Sequence, residues 1–435
     1  MIRRHHRHLT DKLDFMELFQ KLGDEVERLW REANYDEAKL PHIAKDALER
    51  ARLPEKLSAW DVLRWTLGQD TLPPQKDVRG NFGDPPITLY VGPRFHIDVY
   101  FWFDGTTAIH QHGFSGAFQV LLGSSIHSWY EFEREAVINT FAETGRMSLK
   151  VCELLEVGDT QEIWGGRQYI HSLFHLDQPS ATIVVRTSGS PLELPQYSYH
   201  MPGLAVDPFF ERDDITKKIQ TMTALIRANR PEADELVTDL LASSDLHTSF
   251  IYLSHLRGLL RSNHIAQLFK LEGPSSRFNK FLVLVLDKHG TSADILRPVF
   301  ANMDVQDEIV NRRAVVTQPE HRFFIALLMN IDSREMIFKL IKDRYPDADP
   351  RERILDWVFE LSQTRVVGVE TTNALGLPDF GEPEMSALEG LLNRKTDDEI
   401  AASFAAENPN AEPETIRAAL DKIRDAVIFR PLLSE

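Results

Sequence analysis

The chain predicts an α+β fold: a helical N-terminal segment over residues 1–72, an antiparallel β-sandwich or barrel over 85–190, and an all-α region over 214–435. Three observations carry that prediction. At both ends of the chain apolar residues recur at three- and four-residue steps, the period of a helix with one buried face. In the middle, short β-branched and aromatic runs alternate with Gly and Pro, as in all-β sandwiches and barrels. Between these regimes lie two breaker-rich stretches, 73–86 and 188–213, where the pattern changes.

Taken in order, Leu13, Met16, Phe19, Leu22, Val26, Leu29 and Trp30 form one helical stripe over 11–30. A second helical pattern spans 38–53, and Ser58 is placed to cap a third that carries Trp60, Leu63, Trp65 and Leu67 before Gly68 ends it. After Pro73-Pro74, Gly80, Gly83 and Pro85-Pro86, eight strands are expected at 87–91, 96–103, 107–112, 118–122, 127–132, 148–155, 169–174 and 182–187. The Pro-rich linker 191–213, with Pro191, Pro195, Pro202 and Pro208, then leaves the sheet. Beyond it caps such as Ser276, Ser292, Asp332, Asp349 and Thr396 precede stripes like Ile354, Leu355, Val358 and Phe359, with no clean repeat period.

Composition narrows the function. With 435 residues, 43% of them hydrophobic and 26% charged, the chain has material for two or three domains and is not a disordered one. Its formal charge of −17 argues against a general binder of nucleic-acid backbones. A single cysteine, Cys152, excludes an internal disulfide framework and a Cys-based metal cluster, and fits a reducing compartment. No apolar run approaches the roughly 20 residues of a membrane span, and the basic N-terminus lacks the apolar core of a secretory signal, so a soluble, cytoplasmic protein is expected. His5, His6 and His8 read as solvated imidazoles of a terminal tail.

The segment from Asp104 to Gly123 is the informative one. Residues two apart on a strand share a face, so His110 and His112 present two imidazoles to one side of the sheet. Such a pair chelates metal, or stacks as two satisfied histidines. A third histidine, His171, lies in another expected strand.

This segment resembles the first motif of the cupin superfamily: Gly, about five residues, His-X-His, three or four residues, Glu, six residues, Gly. Here the frame runs Gly105, four residues, His110-Gln111-His112, three residues, Gly116, six residues, Gly123. The carboxylate position is thus Gly116. The stretch Gly166 to His175, containing His171, resembles the second cupin motif more loosely, with His175 where that motif ends in Asn. The resemblance spans about residues 87–187 and implies a jelly-roll barrel. Three neutral imidazoles leave an Fe(II) centre at +2, where two imidazoles and a carboxylate leave +1, which favours an anionic substrate. Among cupins the segment is most similar to the three-histidine thiol dioxygenases of the cysteine and mercaptopropionate group. That likeness implies Fe(II), or another divalent metal such as Zn, Mn or Ni, on His110, His112 and His171, acting with O2 on a small anionic molecule. Two features depart from the group. Cys152 does not match its crosslinked cysteine, and its Ser-X-His-X-Tyr strand is replaced by Ala181 to Thr187, Ser198-Tyr199-His200 further on being a chance likeness.

Other candidates follow from strand parity and charge. Tyr169, His171, Leu173 and His175 share a face, which makes Tyr169 and His175 catalytic candidates. His175 stands about 13 Å along the strand from His171 at ~3.3 Å per residue, too far to be a fourth ligand, and could bond substrate, buffer a proton or be a satisfied interior histidine. Gly116, Phe118, Val120 and Leu122 form an apolar wall opposite the metal, with Gln119 pointing away. Arg94 and Arg186 are the cations for a substrate anion, or else surface and interface arginines. Asp98 could supply the missing carboxylate from another strand, while His96, His127 and Tyr130 lie in the barrel region with undetermined direction. In the helical half His255 and His264 read as packing residues, and that half is expected to stabilise the barrel, dimerise or recruit a protein partner. The alternative function is a metal- or ligand-binding cupin sensor or scaffold without turnover.

Overall fold

The computed structural model describes residues 7–76, 78, 83–103, 108–189, 193–261, 274–312, 316–364, 373–377 and 379–434. His5, His6, Gly80, Gly105, Pro191 and His264 lie outside the described residues. Helix Arg7–Glu32 buries Phe15, Phe19, Leu22, Val26 and Trp30 at three- and four-residue steps. Leu40–Ala51 follows, with Pro41 in its first turn. Ser58 then opens Ala59–Leu67 by donating its backbone N–H and hydroxyl to Asp61, and Gly68 closes that helix on the Arg64 carbonyl. Its buried face is Ala59, Val62 and Trp65, whereas Trp60 and Leu67 point to solvent.

Eleven strands follow among the described residues: β1 (Pro86–Val91), β2 (Phe95–Trp102), β3 (Ile109–Gln111), β4 (Gly116–Leu122), β5 (Ser125–Asn139), β6 (Ala142–Leu155), β7 (Thr160–Ile163), β8 (Ile170–His175), β9 (Ser180–Thr187), β10 (Ser198–His200) and β11 (Leu204–Val206). They form a five-stranded antiparallel sheet, β1-β2-β9-β4-β7, and a closed six-stranded antiparallel barrel, β10-β11-β6-β5-β8-β3. Three of these strands were not expected. β7 is short and polar, and β10 and β11 are three-residue pieces of the Pro-rich stretch, which folds back to close the barrel between β3 and β6 instead of leaving it.

Every residue of β2 is buried, because both faces of the sheet are covered. Ile97, Val99 and Phe101, with Ala117, Leu121, Ile183 and Val185 of neighbouring strands, pack against the N-terminal helices. The alternate residues Tyr100, Trp102, Phe118, Val120 and Val184 face the barrel and join Phe114, Tyr169 and Leu173 in an aromatic layer. Gln119 points away from that layer as parity requires, donating to the Gly158 carbonyl and the Thr160 hydroxyl. Leu122 departs from the expected face, since the pairing register shifts between Val120 and Leu122 and turns its side chain toward the N-terminal helices.

The all-α region wraps the rest. Helices from Asp213–Arg227 to Leu296–Arg312 share a core with Ala142, Leu204 and Val206 at the β6/β11 edge. Helices from Pro319–Asn330 onward enclose Phe323, Phe324 and Trp357 together with Ile126, Phe174 and Leu176 of the barrel. Asp349 and Thr396 cap their helices as expected. Ser333 instead of Asp332 caps the helix Arg334–Arg344, and Ser276 falls inside the helix Pro274–His289. Among the described residues no helix is long and apolar enough to cross a membrane.

Candidate metal centre

Local geometry on β3 and β8 builds the site. His110 and His112 lie two apart along β3 and its extension, where His112 bridges to Gly165 and its backbone carbonyl accepts from the Gly166 N–H at 2.8 Å. His110 is directly opposite His171 in the β3/β8 register, so their side chains stand side by side. The three imidazoles are buried, and one nitrogen from each lies within 4.8 Å of the others. The Nε2 atoms of His112 and His171 are 2.7 Å apart.

Surrounding contacts set which nitrogens can ligate. His110 donates its Nδ1–H to the Ala108 carbonyl at 2.7 Å, which leaves the lone pair on Nε2. His171 meets His127 on its other nitrogen, Nδ1 to Nε2, at 2.7 Å. Burial, reinforced by repulsion among the imidazoles, holds the pKa of His112 and of His171 well below the usual histidine value. Burial also lowers that of His110, against the opposing pull of the Ala108 carbonyl. All three are therefore neutral near pH 7, the state in which imidazole ligates metal.

This donor set fits a divalent transition metal. Neutral imidazoles suit Fe, Zn and Ni, and two ligands to one ion at ~2.0–2.1 Å stand roughly 3 Å apart, close to the His112–His171 spacing. The fold is cupin-like. A closed antiparallel barrel with a buried three-histidine cluster resembles the three-histidine thiol dioxygenases, as the motif spacing implied. No protein-family model matches the chain, and no curated protein is significantly similar to it.

The missing carboxylate of this cupin-like site has a packing cause. Gly116 pairs with Arg186 of β9 on one side and Ile163 of β7 on the other. A Cβ there would collide with the Val185 carbonyl oxygen and come within 2.9 Å of the Arg186 Cα. No side chain fits at that position without displacing β9. Asp98 does not substitute for it. Its carboxylate takes the Tyr100 hydroxyl at 2.9 Å and faces His96 Nε2 at 3.2 Å, outside the metal cluster. Burial opposes ionisation of Asp98, but hydrogen bonds from His96, Thr88 and Tyr100 outweigh it and hold the carboxyl below the usual range.

The other candidates divide by position. Tyr169 is beside the cluster, its ring centroid 4.7 Å from that of His171, and burial raises its phenol far above the usual range. Arg186 lies nearby, its guanidinium 3.7 Å from the Phe114 ring centroid while Phe114 packs on His112, and it donates to Tyr100 Oη. His175 stands at the far end of β8, stacked on Trp102 and 2.7 Å from the Ser180 hydroxyl. Arg94 is on the outside, over the ring of Tyr35. Burial pushes Tyr130 up to about 12, and its ring packs against the cluster of Ile109, Ile170, Tyr197 and Tyr199. Of the three residues that strand reasoning left undirected, His96, His127 and Tyr130, the structure brings His127 into contact with His171. The parity of His127 and Trp129 on β5 carried the signal, but β5 slips register at Trp129/Tyr130, so its direction could not be read from sequence.

Proposed function

We propose that His110, His112 and His171 hold a divalent metal, Fe(II) foremost, and that the protein is a cupin-type dioxygenase using O2 on a small anionic molecule, thiol-bearing ones included. The buried cluster of three neutral imidazoles with no carboxylate carries this reading. Fe(II) bound there supplies the redox and oxygen chemistry that protein side chains lack. The chain's own part is to fix three ligands on one wall, exclude water and orient the substrate. Phe114, Phe118, Trp129 and Tyr169 pack around the histidines and keep the site dry. Arg186 is the cation for a substrate carboxylate, held in place by Tyr100 and Phe114. Tyr169, kept protonated by burial, offers a hydroxyl donor at its Oη. His175 serves substrates long enough to reach the far end of β8.

The test is elemental analysis after anaerobic loading with Fe(II), on wild type, the His110→Ala/His112→Ala double variant and His171→Ala. Stoichiometric metal in wild type that both variants lose supports the reading, and an oxygen-uptake screen of small thiols and other anions then seeks the substrate. Metal content unchanged in the variants would refute the ligand assignment, and the same analysis distinguishes Zn, Mn or Ni from iron. One observation favours a second reading. Ile126 and Phe174, on the strands that carry His127 and His171, belong to the core of the helical region. A sensor that reports occupancy of the barrel to the helices would retain metal without turnover and change its assembly on loading.

A further inference from the structure

Asp98 is a buried acid that the metal centre does not use. It lies with His96 on the face of β2 that also carries Tyr100 and Trp102. In the β2/β9 register His96 is opposite Arg186 and Asp98 opposite Val184, so this face continues into the side of β9 that bears Arg186. A carboxylate out of water is costly unless its oxygens are bonded, yet Asp98 Oδ1 has no partner among the described residues. Its other oxygen, Oδ2, takes the Tyr100 hydroxyl at 2.9 Å and lies 3.2 Å from His96 Nε2.

On the other side of Tyr100 stands Arg186, and the donors fix the direction of the connection. A guanidinium has no lone pair to accept with, so Arg186 donates from Nη1 to Tyr100 Oη at 3.2 Å. Tyr100 accepts that bond and gives its one proton to Asp98. Burial holds the Tyr100 phenol above its usual range, so the hydroxyl keeps the proton it donates. Arg186 Nε donates to the Thr187 carbonyl at 3.3 Å, and the guanidinium sits over the Phe114 ring without an ion pair among the described residues. A carboxylate paired directly would fill the guanidinium fork. Set one hydroxyl away, Asp98 attracts the cation and leaves Nη2 for another anion.

We propose that Asp98 and Tyr100 are positioning residues for the substrate anion, anchoring Arg186 by a chain that runs from Asp98 through Tyr100 to the guanidinium. The inference rests on the reading of Arg186 as the cation for a substrate carboxylate. Phe114 touches both ends of that reading, its ring 3.7 Å from the guanidinium and 4.4 Å from the centroid of His112. Neither Asp98 nor Tyr100 needs to reach substrate or metal to act. An arginine side chain has many rotamers, and ordering it when the anion arrives subtracts from binding. A hydrogen bond to an anchored hydroxyl restricts that freedom beforehand.

The experiment compares two thiols of one length, mercaptopropionate and its neutral counterpart mercaptopropanol, on Co(II)-loaded protein. Near-ultraviolet absorption of thiolate on Co(II) follows binding, and the readout is the ratio of the two affinities. Arg186→Met should abolish the wild-type preference for the carboxylate. Asp98→Asn and Tyr100→Phe, both close in shape to the native side chains, should each lower that preference about three- to tenfold, the worth of one hydrogen bond, with Co(II) affinity unchanged. In the Arg186→Met background they should lower it no further, because the group they anchor is gone. An unchanged ratio in either variant, once Arg186→Met has lowered it, would overturn the inference and leave Arg186 standing. Loss of Co(II) affinity, or equal weakening of both thiols, would mark a merely structural role and overturn it as well. Wild type that takes up no Co(II), or whose preference for the carboxylate survives Arg186→Met, would overturn the reading of the site and the inference with it.

Discussion

Placing an alanine at Gly116 tests whether packing forbids a carboxylate at this site. The added Cβ would meet the Val185 carbonyl oxygen and carbon and the Arg186 Cα, all of them backbone atoms of β9. β9 is paired along its length with β2 on one edge and β4 on the other, so it cannot retreat without breaking a ladder. Overpacking a close-packed interior costs typically 1–3 kcal/mol, and with backbone on the other side of the clash we expect the upper end, about 3 kcal/mol. Gly258 provides the control, since a Cβ there meets nothing within 4 Å among the described residues and the residue lies on the exposed side of the helix Leu246–Arg261. Gly258→Ala should instead stabilise by about 0.5–1 kcal/mol through helix propensity. Urea unfolding of the two variants beside wild type gives both signs in one assay. Gly116→Ala within about 0.5 kcal/mol of wild type would refute the packing explanation. Gly116→Glu, for its part, is expected to add no metal affinity, because its side chain starts inside the same clash.

Two further outcomes are expected. Burial lowers His127 to about 3 and His200 to about 4. Both folded values lie below the unfolded value of about 6.5, so the unfolded chain binds protons first, and the stabilisation present above pH 6.5 is lost as pH falls. Between pH 6.5 and 5, above the range where ordinary carboxylates titrate, each histidine should cost about 1.6 kcal/mol, the slope reaching ~1.4 kcal/mol per pH unit only once the unfolded imidazole is fully protonated. Urea melts of the metal-free protein across that window measure this, and a flat profile would contradict it. Replacing Arg186 with Met should weaken the binding of small carboxylates to the metal-loaded protein tenfold or more, while Arg94→Ala, on the outer surface against Tyr35, should leave it unchanged. Calorimetric titration separates the two, and equal effects would remove Arg186 from the site.

Much of this site was legible because period two is a strong rule. His110 and His112 had to share a face, and the alternation along β8 had to put Tyr169 and His171 on one side. That His171 joins the pair was not legible from residues alone and rested on the resemblance, and the pairing of β3 with β8 came only with the structure. Parity failed where strands bulge. Leu122 turned over at the β4 irregularity, and the slip at Trp129/Tyr130 hid the direction of His127. Short strands escaped for a different reason. β7 carries Thr160, Gln161 and Glu162, with little apolar signal, and β10 and β11 are three-residue segments among prolines, where hydrogen bonding to existing edges and not side-chain pattern makes the strand. Arg94 and Arg186 looked alike in the sequence, and what separates them is the strand each occupies: Arg186 alternates with Val184 toward the aromatic layer, while Arg94 precedes β2 in a turn.

The closure of the barrel by β10 has a consequence for how this protein divides. Ser198 pairs with His110 and Tyr199 with Ile109, and the Tyr199 hydroxyl donates to the side chain of Gln111, the residue between the two histidines. The wall behind the first two ligands thus comes from beyond the contiguous stretch that bears all three. A fragment cut after residue 190 would keep every imidazole of the cluster yet bare the hydrogen-bonding edge of β3, and it would strip the helical cover from Phe174, three residues along β8 from His171. In this chain the smallest piece able to shape the histidine cluster is defined by hydrogen-bonding continuity, and that continuity runs through the prolines into the helices.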